Sequence, residues 1–93
     1  MNFEETQLWE IVIPGHIAYS VWYEKIKHLV SGYMILHSDM KGYWKSVQEN
    51  SRVFRIACTE ESIKLICEIT AEEFDEECVM CYRVSNYCLM GYK

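Results

Sequence analysis

Residues 52–74 change period at a single point. Arg52-Val53-Phe54-Arg55-Ile56-Ala57-Cys58 is rich in β-branched and aromatic residues and suits a pleated, half-buried surface. Thr59 then offers an N-cap, and Glu60 and Glu61 place negative charge on a first helical turn, where the helix dipole favours it. Ile63, Ile66, Cys67, Thr70 and Phe74 follow at helical spacing along one face. A strand that leads directly into an amphipathic helix is half of a layered α+β design.

The other half lies upstream. Leu8-Trp9-Glu10-Ile11-Val12-Ile13 reads as a strand stopped by the turn pair Pro14-Gly15, after a polar segment 1–7 expected to fray. From Ile17 the period becomes helical, with Ala18, Trp22, Ile26 and Leu29 on one face and Ser31-Gly32 closing the helix. Tyr33-Met34-Ile35-Leu36-His37 is a second strand, Ser38 to Gly42 a loop by composition, and Gln48-Glu49-Asn50-Ser51 a polar bend before the third strand. Cys78 to Val84 supplies a fourth strand, and Tyr87 to Tyr92 extends or re-pairs it.

The resulting order, strand, helix, strand, strand, helix, strand, is that of a ferredoxin-like βαββαβ sandwich: one domain over 1–93, an antiparallel sheet and both helices on one face. With 93 residues the chain buries only about 60–65% of its unfolded surface, so its core is modest. The sheet face away from the helices needs cover, and a second copy of the same face is the expected cover. The net charge of −5 argues against nucleic acid as a partner, since phosphate binding needs a positive face. No apolar leader is evident at the acidic N-terminus and no apolar run has bilayer length, so the expectation is a cytosolic protein with reduced thiols and no membrane partner.

The motifs with chemical potential are few. Cys78-Val79-Met80-Cys81 has CxxC spacing, but on a strand two residues three apart point to opposite faces, which disfavours a shared metal. His16, His28 and His37 lack metal-ligand spacing, and neither a Gly-rich phosphate loop nor a GxSxG elbow is present. No metal site is expected. Glu72-Glu73-Phe74-Asp75-Glu76-Glu77 lacks the Gly and alternating ligands of a Ca²⁺ loop, yet it crowds acids at a helix C-terminus, where they are locally unfavourable. Some of these acids then answer to something other than stability. Glu49, at the mouth of the third strand, is either a solvated loop acid or a holder of a cationic ligand group.

From Gly42 onward the chain resembles the small phage-encoded S-adenosylmethionine lyases, formerly called hydrolases. The resemblance rests on Gly42-Tyr43-Trp44-Lys45, on Glu49, on the basic strand Arg52 to Cys58, and on Glu73-Phe74-Asp75-Glu76-Glu77-Cys78-Val79-Met80 with Tyr82 beyond. It covers about half the chain. It implies a PII-like homotrimer with active sites between subunits and a reaction that needs no metal or cofactor. The carboxylate of S-adenosylmethionine attacks its own γ-carbon, expelling 5′-methylthioadenosine and leaving homoserine lactone. Such a displacement needs a pocket that folds the substrate for attack, with aromatic faces that tolerate a sulfonium and poor solvation of the charges that cancel. By resemblance Glu49 would orient the substrate ammonium and Tyr43 would supply a nearby hydroxyl; a register shifted by one would put Trp44 there instead. Glu76 stands where the family has Gln and is carried as a substrate-binding candidate. The implied setting is the cytoplasm of an infected bacterium, where loss of the methyl donor starves restriction–modification enzymes. The alternatives are a non-enzymatic PII-like trimer that binds a small nucleotide in the same cleft, and a phage protein that binds a host protein.

Overall fold

The computed structural model describes every residue except 45 and 46, and the side chains of all described residues outside 33–49. Among the described residues the chain forms β1 (Asn2–Pro14), α1 (Tyr19–Ile26), a 3₁₀ turn (Lys27–Leu29), β2 (Gly32–Trp44), β3 (Val47–Cys58), α2 (Glu60–Glu73) and β4 (Cys81–Tyr92). The strands make one sheet of order β2-β3-β1-β4, antiparallel at every pairing. This is the ferredoxin-like βαββαβ sandwich expected from the order of periods.

The core lies on one side of the sheet. Trp9, Ile11 and Ile13 of β1 pack with Phe54, Ile56 and Cys58 of β3 against Trp22 and Ile26 of α1 and Ile63 and Ile66 of α2. Both helices therefore cover the same face. Trp22 stacks obliquely on Phe54 with ring centroids 4.9 Å apart, a geometry that adds to simple area burial. The Trp9 indole N–H donates to the Cys58 carbonyl at 3.0 Å, so a large buried ring keeps its polar atom satisfied. Thr59 caps α2 by accepting from the Ser62 amide, with Glu60 and Glu61 in the first turn.

Four expectations are corrected. Residues 2–6 are not frayed: they pair with the chain's far end, from Asn2↔Tyr92 to Thr6↔Cys88, a non-local ladder that local polarity does not reveal. Residues 38–42 and 48–51 are strand, not loop and bend, because backbone pairing runs through them from Met40↔Ser51 to Trp44↔Val47 regardless of their composition. The first helix is shorter than its apolar period, ending at Ile26 in a 3₁₀ turn, and Ala18 is its exposed N-cap. β4 begins at Cys81, so Cys78 sits in the preceding connection, exposed, while Cys81 turns toward the core.

The two ribbons leave the sheet at opposite ends. β1 pairs with β3 only from Gln7↔Cys58 to Pro14↔Ser51. Beyond Pro14, β2 and β3 continue as a two-stranded ribbon; beyond Gln7, β1 and β4 do the same. The molecule is accordingly elongated, with principal extents of 46 × 21 × 20 Å. Among the described residues no helix is long and apolar enough to cross a membrane.

Candidate functional site

The end of the sheet where the β2–β3 ribbon departs collects three polar side chains from separate segments. Pro14-Gly15 ends β1 and folds the chain back against β3, the Gly15 amide donating to the Asn50 carbonyl at 2.6 Å. That approach favours glycine: a Cβ at Gly15 would lie 3.0 Å from the same carbonyl oxygen, so the neighbour would have to give by a few tenths of an ångström. The turn presents His16. Arg52, two residues further along β3, donates from Nη1 to the Ile17 carbonyl at 2.9 Å and ties the ribbon's base to the start of α1.

The third member comes from the end of α2. Asp75 takes a left-handed conformation, φ 53°, and the Glu76 amide reaches back to the Ala71 carbonyl at 2.9 Å. This is a Schellman closure, with a non-glycine residue in the position that favours glycine. It aims Glu76 at the β1–α1 turn, where its carboxylate meets His16 Nε2 at 2.9 Å; the Glu76 side chain is only 14% exposed. A second acid of the cluster, Glu73, pairs with Lys25 of α1 at 3.1 Å. Two of the acids crowded at this helix end thus meet side chains across the fold, Glu73 a lysine and Glu76 a histidine. The connection is pinned to the sheet by the Val12 amide, which donates to the Met80 carbonyl at 3.0 Å.

Glu49 sits on β3 one residue before Asn50, in ladder register with Gly42; Tyr43 and Trp44 oppose Gln48 and Val47 on the same ribbon. The backbone thus brings Gly42 and Glu49 side by side near the end of the sheet that carries Glu76. The side chains of Tyr43, Trp44 and Glu49 lie outside the described residues. His16 and Arg52 did not stand out in the sequence. His16 lacks metal-type spacing and Arg52 reads as an ordinary strand residue, so only the tertiary fold joins them to Glu76.

A second polar group occupies the middle of the opposite sheet face. Arg55 Nη2 donates to Glu10 Oε1 at 2.7 Å, and the Tyr82 hydroxyl donates to Glu10 Oε2. The bond to Glu10 raises the Tyr82 pKa, with desolvation adding to it. Around this group stand Leu8, Val12, Val53 and Ala57, the alternates of the core-facing positions on β1 and β3. β4 is an edge strand, and Tyr82, Val84, Tyr87, Leu89 and Tyr92 along it are exposed. Among the described residues no group of three or more His, Cys, Asp or Glu is placed to hold a metal ion.

Strand order, helix placement and the projecting β2–β3 ribbon define a ferredoxin-like domain. Solved structures share this fold, among them two of the PII-like kind. One is CPII, a nitrogen regulatory PII-like protein from Thiomonas intermedia K12 bound to ADP, AMP and bicarbonate; the likeness has a TM-score of 0.62 at 15% identity over 99% of both chains. The other is a putative PII-like signalling protein from Thermus thermophilus, with a TM-score of 0.58 at 23% identity over 95% of this chain and 92% of that one. No protein-family profile and no curated protein matches the chain.

Proposed function

We propose that this protein is a PII-like module that binds an adenine nucleotide where the β2–β3 ribbon leaves the sheet, as a homotrimer with the site between subunits. One observation carries the reading: at the ribbon's base His16 meets Glu76 and Arg52 reaches the neighbouring Ile17 carbonyl, in a fold that matches a PII-like protein bound to ADP and AMP over 99% of its length. Arg52, held by its bond to Ile17, and His16 face the phosphate charge; Glu76 accepts from a ribose hydroxyl. A second copy covers the outer face around Glu10 and Arg55 and the exposed edge strand β4. A long apolar edge strand left open is a template for pairing with another chain.

Titration calorimetry with ADP and AMP, together with sedimentation of the full chain, tests this. Binding of one nucleotide per subunit to a trimer is expected. A folded monomer, or a trimer that takes up neither nucleotide, overturns it.

The register Gly42↔Glu49 favours a second reading, S-adenosylmethionine lyase, because it sets side by side two of the residues on which that family resemblance rests. In it Glu49 orients the substrate ammonium, Tyr43 (or Trp44) lies beside it and Glu76 lines the pocket. Incubation with S-adenosylmethionine and EDTA, followed by chromatography, distinguishes the two. Methylthioadenosine and homoserine lactone mark the lyase; intact substrate, with ADP bound, marks the nucleotide module.

A further inference from the structure

Away from the ribbon, α2 and β4 bring two thiols into contact. Cys67 Sγ lies 3.5 Å from Cys81 Sγ, and both residues are half-buried free cysteines packed against the core. A cleft of about 310 Å³ opens over them, lined by Trp9, Glu60, Ile63, Lys64, Cys67 and Cys81. Both cysteines thus border an open cleft. We propose that Cys67 and Cys81 form a reversible intramolecular disulfide that ties α2 to β4 and fixes the connection carrying Glu76.

The geometry asks for little movement. A disulfide has an S–S bond of about 2.05 Å, so the sulfurs must approach by roughly 1.5 Å, a displacement that side-chain torsions share between them. The connection between the two cysteines holds the left-handed Asp75 and the Glu76 closure, and at its far end Met80 is bonded to Val12. A covalent tie across its base restricts that whole segment.

Oxidation is driven by a low-molecular-weight disulfide such as oxidised glutathione. One protein thiolate attacks a sulfur of the reagent, forming a mixed disulfide and releasing one glutathione thiolate. The second protein cysteine, deprotonated, attacks the protein-side sulfur of that bond and releases the other glutathione. Two protein thiols are oxidised, one glutathione disulfide is reduced, and the two protons lost by the protein end on the released thiols. Burial, with the bond to Cys81 adding to it, pushes the Cys67 thiol up to about 12. Cys67 is therefore a slow nucleophile at neutral pH, and because closing the bond by this route needs its thiolate in either order of attack, the disulfide forms only under sustained disulfide stress.

The test incubates the full chain with oxidised glutathione and maps the cysteines by non-reducing peptide mass spectrometry, independently of any nucleotide. A Cys67–Cys81 cross-linked peptide, reversed by dithiothreitol, is expected. It should be accompanied by a rise in Tm of roughly 10 °C or more, the order expected for closing a short loop in a domain under 100 residues. Cys81→Ser should lose both. Glutathione on Cys78 alone, with Cys67 and Cys81 still free, overturns the proposal, as does a mapped bond that leaves Tm unchanged.

Discussion

The Trp22 indole N–H donates to Thr70 Oγ1 at 2.8 Å, and the same hydroxyl donates to the Ile66 carbonyl at 2.7 Å. Both residues are fully buried, so one threonine satisfies the indole of α1 and a backbone acceptor of α2 where the helices meet. Thr70→Val keeps the shape and strands the indole donor, at a cost of about 1–3 kcal/mol. Thr70→Ser keeps the acceptor and should cost less. Urea unfolding of the two variants checks the order; a valine variant at least as stable as the serine one would show that the hydrogen bond does not hold the helices together.

Gly15→Ala tests the base of the ribbon. The added Cβ meets the Asn50 backbone oxygen at 3.0 Å and its Cβ at 3.2 Å, neither of which is the end of a flexible side chain. The turn must shift away from β3, costing about 1–3 kcal/mol by the usual penalty for overpacking. His16 moves with it, so nucleotide affinity should fall further than stability at a temperature where the variant is still folded. Equal affinity in a destabilised variant would remove the turn from the site.

What the sequence made legible follows the range of the forces involved. α2 was readable to within a residue because its cap at Thr59 and its apolar spacing from Ile63 to Thr70 are local. The pairing of Asn2–Thr6 with Cys88–Tyr92 joins the two ends of the chain, and the ladder through Met40–Trp44 runs on backbone atoms, so composition reported neither. The site divides the same way. Glu76 stands out in the sequence because it occupies the place where the resembled family has Gln, within a cluster of acids at a helix end, whereas His16 and Arg52 each have an ordinary local explanation and become a site only when the turn, the strand and the helix end meet.

Stability should fall at alkaline pH through the buried thiols. Burial, with Cys81 adding to it, raises the Cys58 thiol from 9.0 to about 12, and Cys67 is raised to about the same value. The folded state holds these protons more tightly than the unfolded chain. Their contribution is therefore whole below the unfolded value near 9 and is lost as pH rises from there to about 12. Tyr82, raised by its bond to Glu10, adds loss of the same sign above its ordinary value. Urea midpoints measured from about pH 8 to about pH 11 should decline. Cys58→Ala, less stable at the start because it leaves a cavity, should decline by less over the same range; an equal decline would put the dependence elsewhere.

Asp75→Gly should stabilise the chain. Asp75 holds a left-handed conformation that L side chains rarely adopt, at the position after the α2 C-cap where glycine is favoured. The gain is about 1 kcal/mol, the left-handed cost of a Cβ offset in part by the backbone entropy of glycine, measured by thermal or urea unfolding. Because the Glu76 amide bond to Ala71 is kept, nucleotide binding should not change, which makes this variant a control for the others.

Glu76 separates the two functional readings. Its contact with His16 joins a largely exposed imidazole to a mostly covered carboxylate, and even as a full ion pair such a contact contributes about 0–1 kcal/mol to stability. Glu76→Gln should therefore fold and melt nearly as the parent does. In a nucleotide module it removes a charged acceptor from the ribose, and ADP affinity should fall by roughly tenfold, the loss of one charge-assisted hydrogen bond. In a lyase the same change puts back the Gln to which the family resemblance points, so turnover of S-adenosylmethionine should hold or rise, whereas Glu49→Gln should abolish it. Calorimetry with ADP and product chromatography with S-adenosylmethionine, run on the same two variants, give opposite patterns under the two readings. If neither variant changes either measurement, the end of the sheet that carries the ribbon is not the binding site, and the polar group of Glu10, Arg55 and Tyr82 on the other face becomes the place to look.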